Sequence, residues 1–208
     1  MINEVSTGRA NQKTRTRRAI IDAATQLVRT GSDVTMPEVA KLALVSEATA
    51  YRYFPDLESL LHETLRDIWP SPADALEPVA SSGAPVERVT FACEFLLRGV
   101  LSYQRAVRAM MSVTITRPEL AASRPGIRFG LIDYALAPFE SKLAARDPEA
   151  LPQLKRDLAV VVSAEALFVL TDLCGLSPDD AIASARRTAA TLTEAAFRAG
   201  QPSLTRRS

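Results

Sequence analysis

The sequence has little of the chemistry on which most catalytic and metal sites depend. Its 208 residues include one histidine, two cysteines and one tryptophan. The lone histidine, His62, excludes the paired imidazoles of common metal sites and leaves only one candidate base for a Ser-His-Asp arrangement. Cys93 and Cys174 are too few and too far apart to indicate a disulfide scaffold or a zinc site. The sequence therefore predicts no catalytic residue, no metal and no cofactor.

Long uninterrupted apolar runs are also missing. The longest candidate, residues 158–174, contains Glu165 and Asp172, which would be costly at the centre of a bilayer. The first twelve residues lack the apolar core of a secretory signal. We therefore expect a cytoplasmic protein without a membrane span. No segment shows the alternation of apolar and polar residues that is typical of a β-strand.

Charge is nearly balanced overall, at +1, but it is unevenly distributed. Residues 9–29 carry a net charge of +5, whereas residues 30–68 carry −4. Such a basic run is commonly a solvated face, and it equally suits contacts with phosphates. We name as the basic cluster its residues Lys13, Arg15, Arg17 and Arg18.

Capping and breaker residues predict two helices between residues 16 and 43. Apolar residues at helical spacing indicate a first helix over 16–29, ended by Gly31. Thr35, with a proline in the first turn and Glu38 three residues on, predicts the start of a second helix over 36–43.

A third helix begins almost at once. Ser46 is placed to cap it, and it ends by Phe54 because Pro55 disfavours helical geometry in the residue before it. Asp56 then caps a fourth helix over 57–68. Two short helices joined by a tight turn, preceded by a longer one, predict a helix-turn-helix.

The third predicted helix has one apolar face and one face suited to DNA. Val45, Ala50 and Phe54 share the apolar face by their spacing. The other face has small residues that permit close approach, with hydroxyl and guanidinium donors for phosphates and base edges. Its members are Glu47, Ala48, Thr49, Tyr51, Arg52 and Tyr53. We interpret this helix as a recognition helix; the alternative is that its tyrosines are ordinary, partly buried aromatics.

Residues 14–61 contain a series of short motifs. They are Ala23-Ala24, Thr35, Val45-Ser46, Thr49, Tyr51, Phe54 and Glu58-Ser59-Leu60-Leu61. In these motifs the stretch resembles the TetR family of bacterial regulators. The resemblance implies a DNA-binding head and a ligand-binding, dimerising body. It also implies phosphate or base contacts from Thr35, Ser46, Thr49, Tyr51 and Tyr53, with Glu47, Ala48 and Arg52 available to set sequence preference.

Three residues depart from the family pattern. Leu44 stands where the turn usually has a glycine, Ala48 where a glycine commonly precedes the threonine, and Leu57 where a lysine often follows the proline. A bulky side chain at position 44 would be strained in a left-handed conformation, so we expect a turn without one. Leu57 removes an expected phosphate contact, for which the basic cluster would compensate at the backbone or minor groove.

Prolines and a Ser-Ser-Gly cluster separate this head from the rest of the chain. Five amphipathic helices are then predicted, over 85–101, 103–115, 126–145, 148–174 and 177–199. The chain divides into a flexible arm (1–12), a helix-turn-helix DNA-binding domain (13–68), a linker (69–84), a ligand-binding and dimerisation domain (85–200) and a flexible tail (201–208). The predicted fold is all-α, with a three-helix head joined to a helical bundle that dimerises.

Aromatic and methionine side chains in the body suit a pocket for a lipophilic molecule, because they adapt to apolar shapes. The candidates are Phe91, Phe95, Tyr103, Met110, Met111, Phe129, Tyr134 and Phe168. Core packing is the alternative for each of them.

The last two predicted helices are alanine-rich and apolar, which favours a homodimer with C2 symmetry. A dimer would present two heads to a palindromic operator. The sequence thus predicts a repressor that binds double-stranded DNA and responds to a small lipophilic effector. One alternative is an all-helical carrier or enzyme whose head is an interaction domain, and another is a DNA-binding protein that needs no ligand.

Overall fold

The chain forms two compact units. The computed structural model describes residues 4–116 and 126–198, with side chains over 11–115 and 126–198. Of the described residues, the first unit contains 4–69 and the helix that follows Ser102, and the second contains 70–101 and 126–198. All regular structure in the described ranges is helical, which confirms the all-α prediction.

Twelve α-helices are described in chain order. They are α1 (Glu4–Arg29), α2 (Met36–Leu42), α3 (Glu47–Tyr53), α4 (Leu57–Ile68), α5 (Pro72–Ala75), α6 (Pro85–Ser102), α7 (Gln104–Thr116), α8 (Ile127–Leu136), α9 (Glu140–Ala144), α10 (Ala150–Val161), α11 (Ala164–Phe168) and α12 (Pro178–Arg198). None of the described helices is long and apolar enough to cross a membrane.

Helix α1 begins at Glu4, well before the predicted start at Thr16. The prediction began at the first apolar repeat, but the polar turns before it contain no proline to stop a helix. Residues 4–12, predicted as a flexible arm, therefore continue α1. Residues 1–3 of that arm, Ala199 of the last predicted helix and the predicted tail lie outside the described residues.

The three predicted caps of the head are confirmed. The hydroxyl oxygen of Thr35 accepts from the backbone N–H of Glu38 at 3.3 Å, and that of Ser46 accepts from the N–H of Thr49 at 3.2 Å. A carboxylate oxygen of Asp56 accepts from the N–H three residues on at 2.8 Å. Each bond satisfies a backbone donor that the first turn of a helix leaves open.

A single apolar core holds the first unit together. Helix α1 contacts α2 and α4, α2 contacts α3, and α4 contacts α7. Helix α7, which its sequence predicts as part of the body, contributes Ala106 and Met110 to this core. The buried members from the other helices include Ile20, Ala24, Val39, Ala40, Ala50, Phe54, Leu60, Leu61 and Leu65.

The second unit is built around α10 and α12. Helix α10 contacts α8, α9 and α12, and α11 also contacts α12. Alanines of α12 predicted to face a second subunit are instead buried in this unit: Ala181 and Ala189 are 0% exposed and Ala185 is 2% exposed. The small side chains thus let α12 approach its own neighbours.

Two of the helices predicted for the body are interrupted. The segment 126–145 ends α8 at Leu136 and passes through a 3-10 turn containing Pro138 before α9. The segment 148–174 is broken after Val161, where the Ser163 hydroxyl accepts from the N–H of Ala166 at 3.0 Å and starts a new helix. Proline and a serine cap therefore divide runs whose apolar periodicity is continuous.

The segment predicted as a linker, residues 69–84, also contains helical turns. Helix α5 is capped by Ser71, whose hydroxyl accepts from the N–H of Asp74 at 3.2 Å and donates to its carboxylate at 2.7 Å. A 3-10 turn at Glu77–Val79 follows. Leu76 and Val79 are buried, so this segment is part of the packed second unit.

The two cysteines lie in opposite environments. Cys93 is buried in α6, and burial raises the pKa of its thiol from 9.0 to about 12. Cys174 is exposed. The Cys93 thiol therefore stays protonated at neutral pH.

One buried cation organises the second unit. Arg88 on α6 is 2% exposed, and the central carbon of its guanidinium lies 5.6 Å from the centre of the Tyr134 ring. The guanidinium donates to the carbonyl oxygens of Val79 and Ala80 at 2.8 Å, Ala135 at 2.9 Å and Tyr134 at 2.8 Å. These carbonyls end the 3-10 turn and lie in α8, so Arg88 joins three segments.

Replacing Arg88 by methionine should lower the free energy of unfolding by about 3–5 kcal/mol, because buried carbonyl oxygens lose their donors. Urea denaturation followed by circular dichroism measures this change. Arg187→Met, at an exposed position of α12, is the matched control and should change stability by less than about 0.5 kcal/mol. Equal effects of the two substitutions would contradict the assigned role of Arg88.

Candidate nucleic-acid interface

Helix α3 presents the two faces that the sequence predicts. Ala50 is 0% and Phe54 2% exposed, whereas Val45 is half-buried. On the opposite face, residues 47, 48, 51 and 52 are exposed and Thr49 and Tyr53 are half-buried. The polar side chains of α3 are therefore held outward by a face anchored in the core of the first unit.

The hydroxyl groups at the start of α3 form a short chain of hydrogen bonds. Ser46 accepts from the backbone N–H of Thr49 and donates its own proton to the Thr49 side-chain oxygen at 2.9 Å. Thr49 is thus an acceptor toward Ser46, which leaves its own hydroxyl proton available for another acceptor. This arrangement fixes the Thr49 side chain while leaving it able to donate.

The basic cluster divides into two kinds of residue. The guanidinium of Arg17 pairs with the carboxylate of Glu63 on α4 and lies 4.9 Å from the centre of the Phe54 ring. Lys13, Arg15 and Arg18 are exposed on α1. Arg17 therefore packs the first unit, and its three neighbours present charge at the surface.

Two grooves run between the N-terminal half of α1 and the helix-turn-helix. The first, of about 560 Å³, is lined by Gln12, Lys13, Thr16, Val45, Ser46, Thr49, Arg52 and Tyr53. The second, of about 900 Å³, is lined by Asn11, Gln12, Arg15, Thr16, Arg18, Ala19, Asp22, Ala43 and Val45. The surface that holds the predicted recognition residues is thus bordered by cationic side chains.

The turn between α2 and α3 differs from the prediction. Leu44 has φ +56° and adopts the left-handed conformation that a bulky side chain was expected to avoid. The prediction was wrong because the end of α2 requires this geometry. The N–H of Val45 bonds to the carbonyl of Ala40 at 3.0 Å and that of Leu44 to Lys41 at 3.2 Å, the Schellman pattern that ends a helix.

Leu57, the departure at the start of α4, is half-buried and packs against the core of the first unit. Leu57 thus contributes apolar packing at the position where the resemblance implied a lysine for phosphate contact. Thr35, at the start of α2, is exposed, and its hydroxyl proton is not used by the bond from Glu38, in which Thr35 is the acceptor.

Gln12 and Thr16 line the first groove but were not among the predicted interface residues. The signal was available in their spacing, because residues four apart on a helix share a face. The prediction omitted these two residues because the helix was expected to begin only at Thr16, which leaves Gln12 outside it.

The predicted ligand-binding residues fall into both units. Tyr103, Met110 and Met111 belong to the first, where Met110 is 7% exposed in the core and Tyr103 meets Trp69 edge-on at 6.1 Å. The other five, Phe91, Phe95, Phe129, Tyr134 and Phe168, belong to the second. Phe129 is 56% exposed and Phe168 is 8% exposed.

Residues 20–64 match the sequence model described as "Bacterial regulatory proteins, tetR family". This part of the chain is therefore similar to the helix-turn-helix of the TetR family. The match covers α2, α3, the C-terminal part of α1 and most of α4, and so spans the helix-turn-helix. A search of curated proteins found no match.

A solved structure supports the TetR fold beyond the helix-turn-helix. It is described as the crystal structure of a TetR transcriptional regulator from Rhodococcus sp. RHA1. The alignment covers 86% of this chain and 97% of that one, with a TM-score of 0.55 and 24% sequence identity. At that identity the likeness concerns the fold.

Arg17→Met should lower the free energy of unfolding by about 1 kcal/mol, since it removes a partly exposed ion pair and a cation–π contact. Thermal denaturation followed by Trp69 fluorescence measures the effect. Arg15→Met, on the same helix, should leave stability unchanged. The two roles assigned within the basic cluster would be untenable if Arg15→Met destabilised the protein as much as Arg17→Met.

Proposed function

We propose that this chain is a TetR-family repressor that binds a palindromic operator as a homodimer and is released by a small lipophilic effector. As a regulator of bacterial DNA it would act in the cytoplasm, through DNA binding and not through catalysis. The observation that carries the proposal is the polar, outward face of α3, fixed by the Ser46 cap and bordered by the grooves of α1.

The recognition helix itself brings no net positive charge to DNA. Glu47 and Arg52 are its only charged residues and offset one another. Lys13, Arg15 and Arg18 would supply the attraction for phosphates, since each neutralised phosphate releases counterions. Tyr51, 46% exposed, and Thr49 would then contact base edges or fix the register. We therefore assign sequence choice to α3 and most of the salt-dependent affinity to α1.

Binding to selected fragments of the source genome, followed by gel shift over a salt series, tests this division. Arg15→Ala should weaken binding to every fragment and reduce the slope of log affinity against log salt by about 1. Tyr51→Ala should instead cost about tenfold on the selected fragment, as expected for one lost contact.

Arg156→Ala, an exposed change on α10, is the charge-matched control and should leave the salt slope unaltered. Failure of the wild-type protein to retain any fragment would defeat the DNA-binding proposal. It would favour the rival view that the chain is a carrier or an enzyme whose head is an interaction domain.

Apolar side chains exposed in the second unit support the dimer. Val160 at the end of α10 is 71% exposed, and Val169 and Leu173, in the π-helical turn after α11, are 48% and 80% exposed. Contact with a second copy would remove these side chains from water. The proposed interface therefore uses this surface and the outward face of α12, and not the buried alanines of α12.

Val160→Glu should shift the protein toward monomers, because a carboxylate would be desolvated at the interface. Sedimentation velocity over a range of micromolar concentrations measures the shift. Ile115→Glu, at a 68% exposed position of the first unit, is the control and should leave the dimer intact. A wild-type chain that sediments as a monomer at these concentrations would rule out the dimer.

The effector site is proposed from the aromatic residues of the second unit. Phe91 and Phe95 on α6 and Tyr134 on α8 are half-buried, which suits side chains that border an apolar ligand. Met110 is an unsuitable lining residue because it packs in the core of the first unit. An effector would act by binding more tightly to a conformation with low operator affinity, with α4 as the lever.

Screening apolar compounds for loss of the gel shift tests the effector proposal. A compound that weakens operator binding should lose its effect in a Phe95→Ala protein that still binds DNA. If operator affinity were insensitive to every compound, the alternative of a DNA-binding protein without a ligand would be favoured.

A further inference from the structure

Leu44 combines two unfavourable features in one residue. Its backbone is left-handed, with φ +56°, and its side chain is 92% exposed. The first feature is sterically disfavoured for any residue with a Cβ, and the second leaves an apolar side chain in water. Packing of Leu44 within the described chain offsets neither.

The same chain ends another helix in the same way with a glycine. After α1, the N–H of Ser32 bonds to the carbonyl of Leu27 at 3.1 Å and that of Gly31 to Val28 at 3.2 Å. Gly31 has φ +67°, and it occupies the position that Leu44 occupies after α2. A glycine would therefore satisfy the backbone requirement at position 44 without strain or exposed apolar area.

The sequence neighbours of Leu44 line two surface grooves. Ala43 and Val45 line the groove that contains Arg15 and Arg18, and Val45 and Ser46 line the groove that contains Lys13 and Arg52. Leu44 is thus flanked in sequence by residues that line two grooves with cationic side chains, and it lies two residues before the cap of α3. A polyanion attracted to those grooves would cover it.

We propose that Leu44 packs against the deoxyribose carbons of the DNA backbone, between phosphates attracted by the two cationic grooves. The inference rests on the proposed function and adds an apolar contact to it. Deoxyribose offers apolar carbon surface that is the same at every base pair, so the contact contributes affinity without sequence choice. Contact with DNA removes the leucine side chain from water. The free energy gained in this way compensates for the cost of a left-handed leucine at this position.

Leu44→Gly separates the two effects. The melting temperature of the free protein should rise by about 2–4 °C, because the left-handed position no longer carries a Cβ. Affinity should fall by about tenfold, for the selected fragment and for unrelated DNA alike, because one buried leucine is lost. The salt slope should stay unchanged, since no charge is removed.

Three further variants serve as controls. Leu44→Met keeps a long apolar side chain and should bind like the wild type. Leu42→Ala removes a leucine that is 39% exposed on α2 and should also leave affinity unchanged. Gly31→Ala should lower the melting temperature without weakening DNA binding, as expected if the left-handed strain is independent of the DNA contact.

Each remaining outcome overturns the inference in a distinguishable way. Equal or tighter binding by Leu44→Gly, with normal wild-type binding, would show that Leu44 does not contact DNA and point to a protein partner. A loss confined to the selected fragment would indicate a base contact instead of deoxyribose. Absence of wild-type binding to any DNA would overturn the proposed function together with this inference.

Discussion

The anchoring of two very short helices is the constraint on which the rest of the structure depends. Helices α2 and α3 have seven residues each, too few to be stable in water by themselves. They persist because their apolar sides enter the core formed with α1 and α4, and because side-chain caps satisfy their first N–H groups. The position of every side chain on the outward face of α3 therefore follows from burial of residues such as Ala50 and Phe54.

The parts of the head that could be predicted from sequence were those governed by local chemistry. The caps at Thr35, Ser46 and Asp56 depend on a side chain bonding within its own turn, so the residue type and spacing suffice to identify them. Leu44 was misjudged because the hydrogen bonds that end α2 outweigh the preference of the side chain. The start of α1 was misplaced because polar turns give no periodic signal.

The body was harder to predict because periodicity does not reveal which partner an apolar face meets. The alanines of α12 were equally compatible with a neighbouring helix and with a second subunit, and Ala181, Ala185 and Ala189 are buried in their own unit. Membership of α7 in the core of the first unit arises from packing of Ala106 and Met110, distant in sequence from α1 to α4. Such long-range contacts leave no mark in a short window of sequence.

The edge-on contact between Trp69 and Tyr103 gives the protein an intrinsic fluorescent probe. The chain contains one tryptophan, so all indole emission arises from Trp69, just after α4, where it contacts Tyr103, just before α7. A change in the environment of this ring reports on the first unit without any attached dye. Spectroscopy can thereby follow rearrangement around α4 separately from events in the second unit.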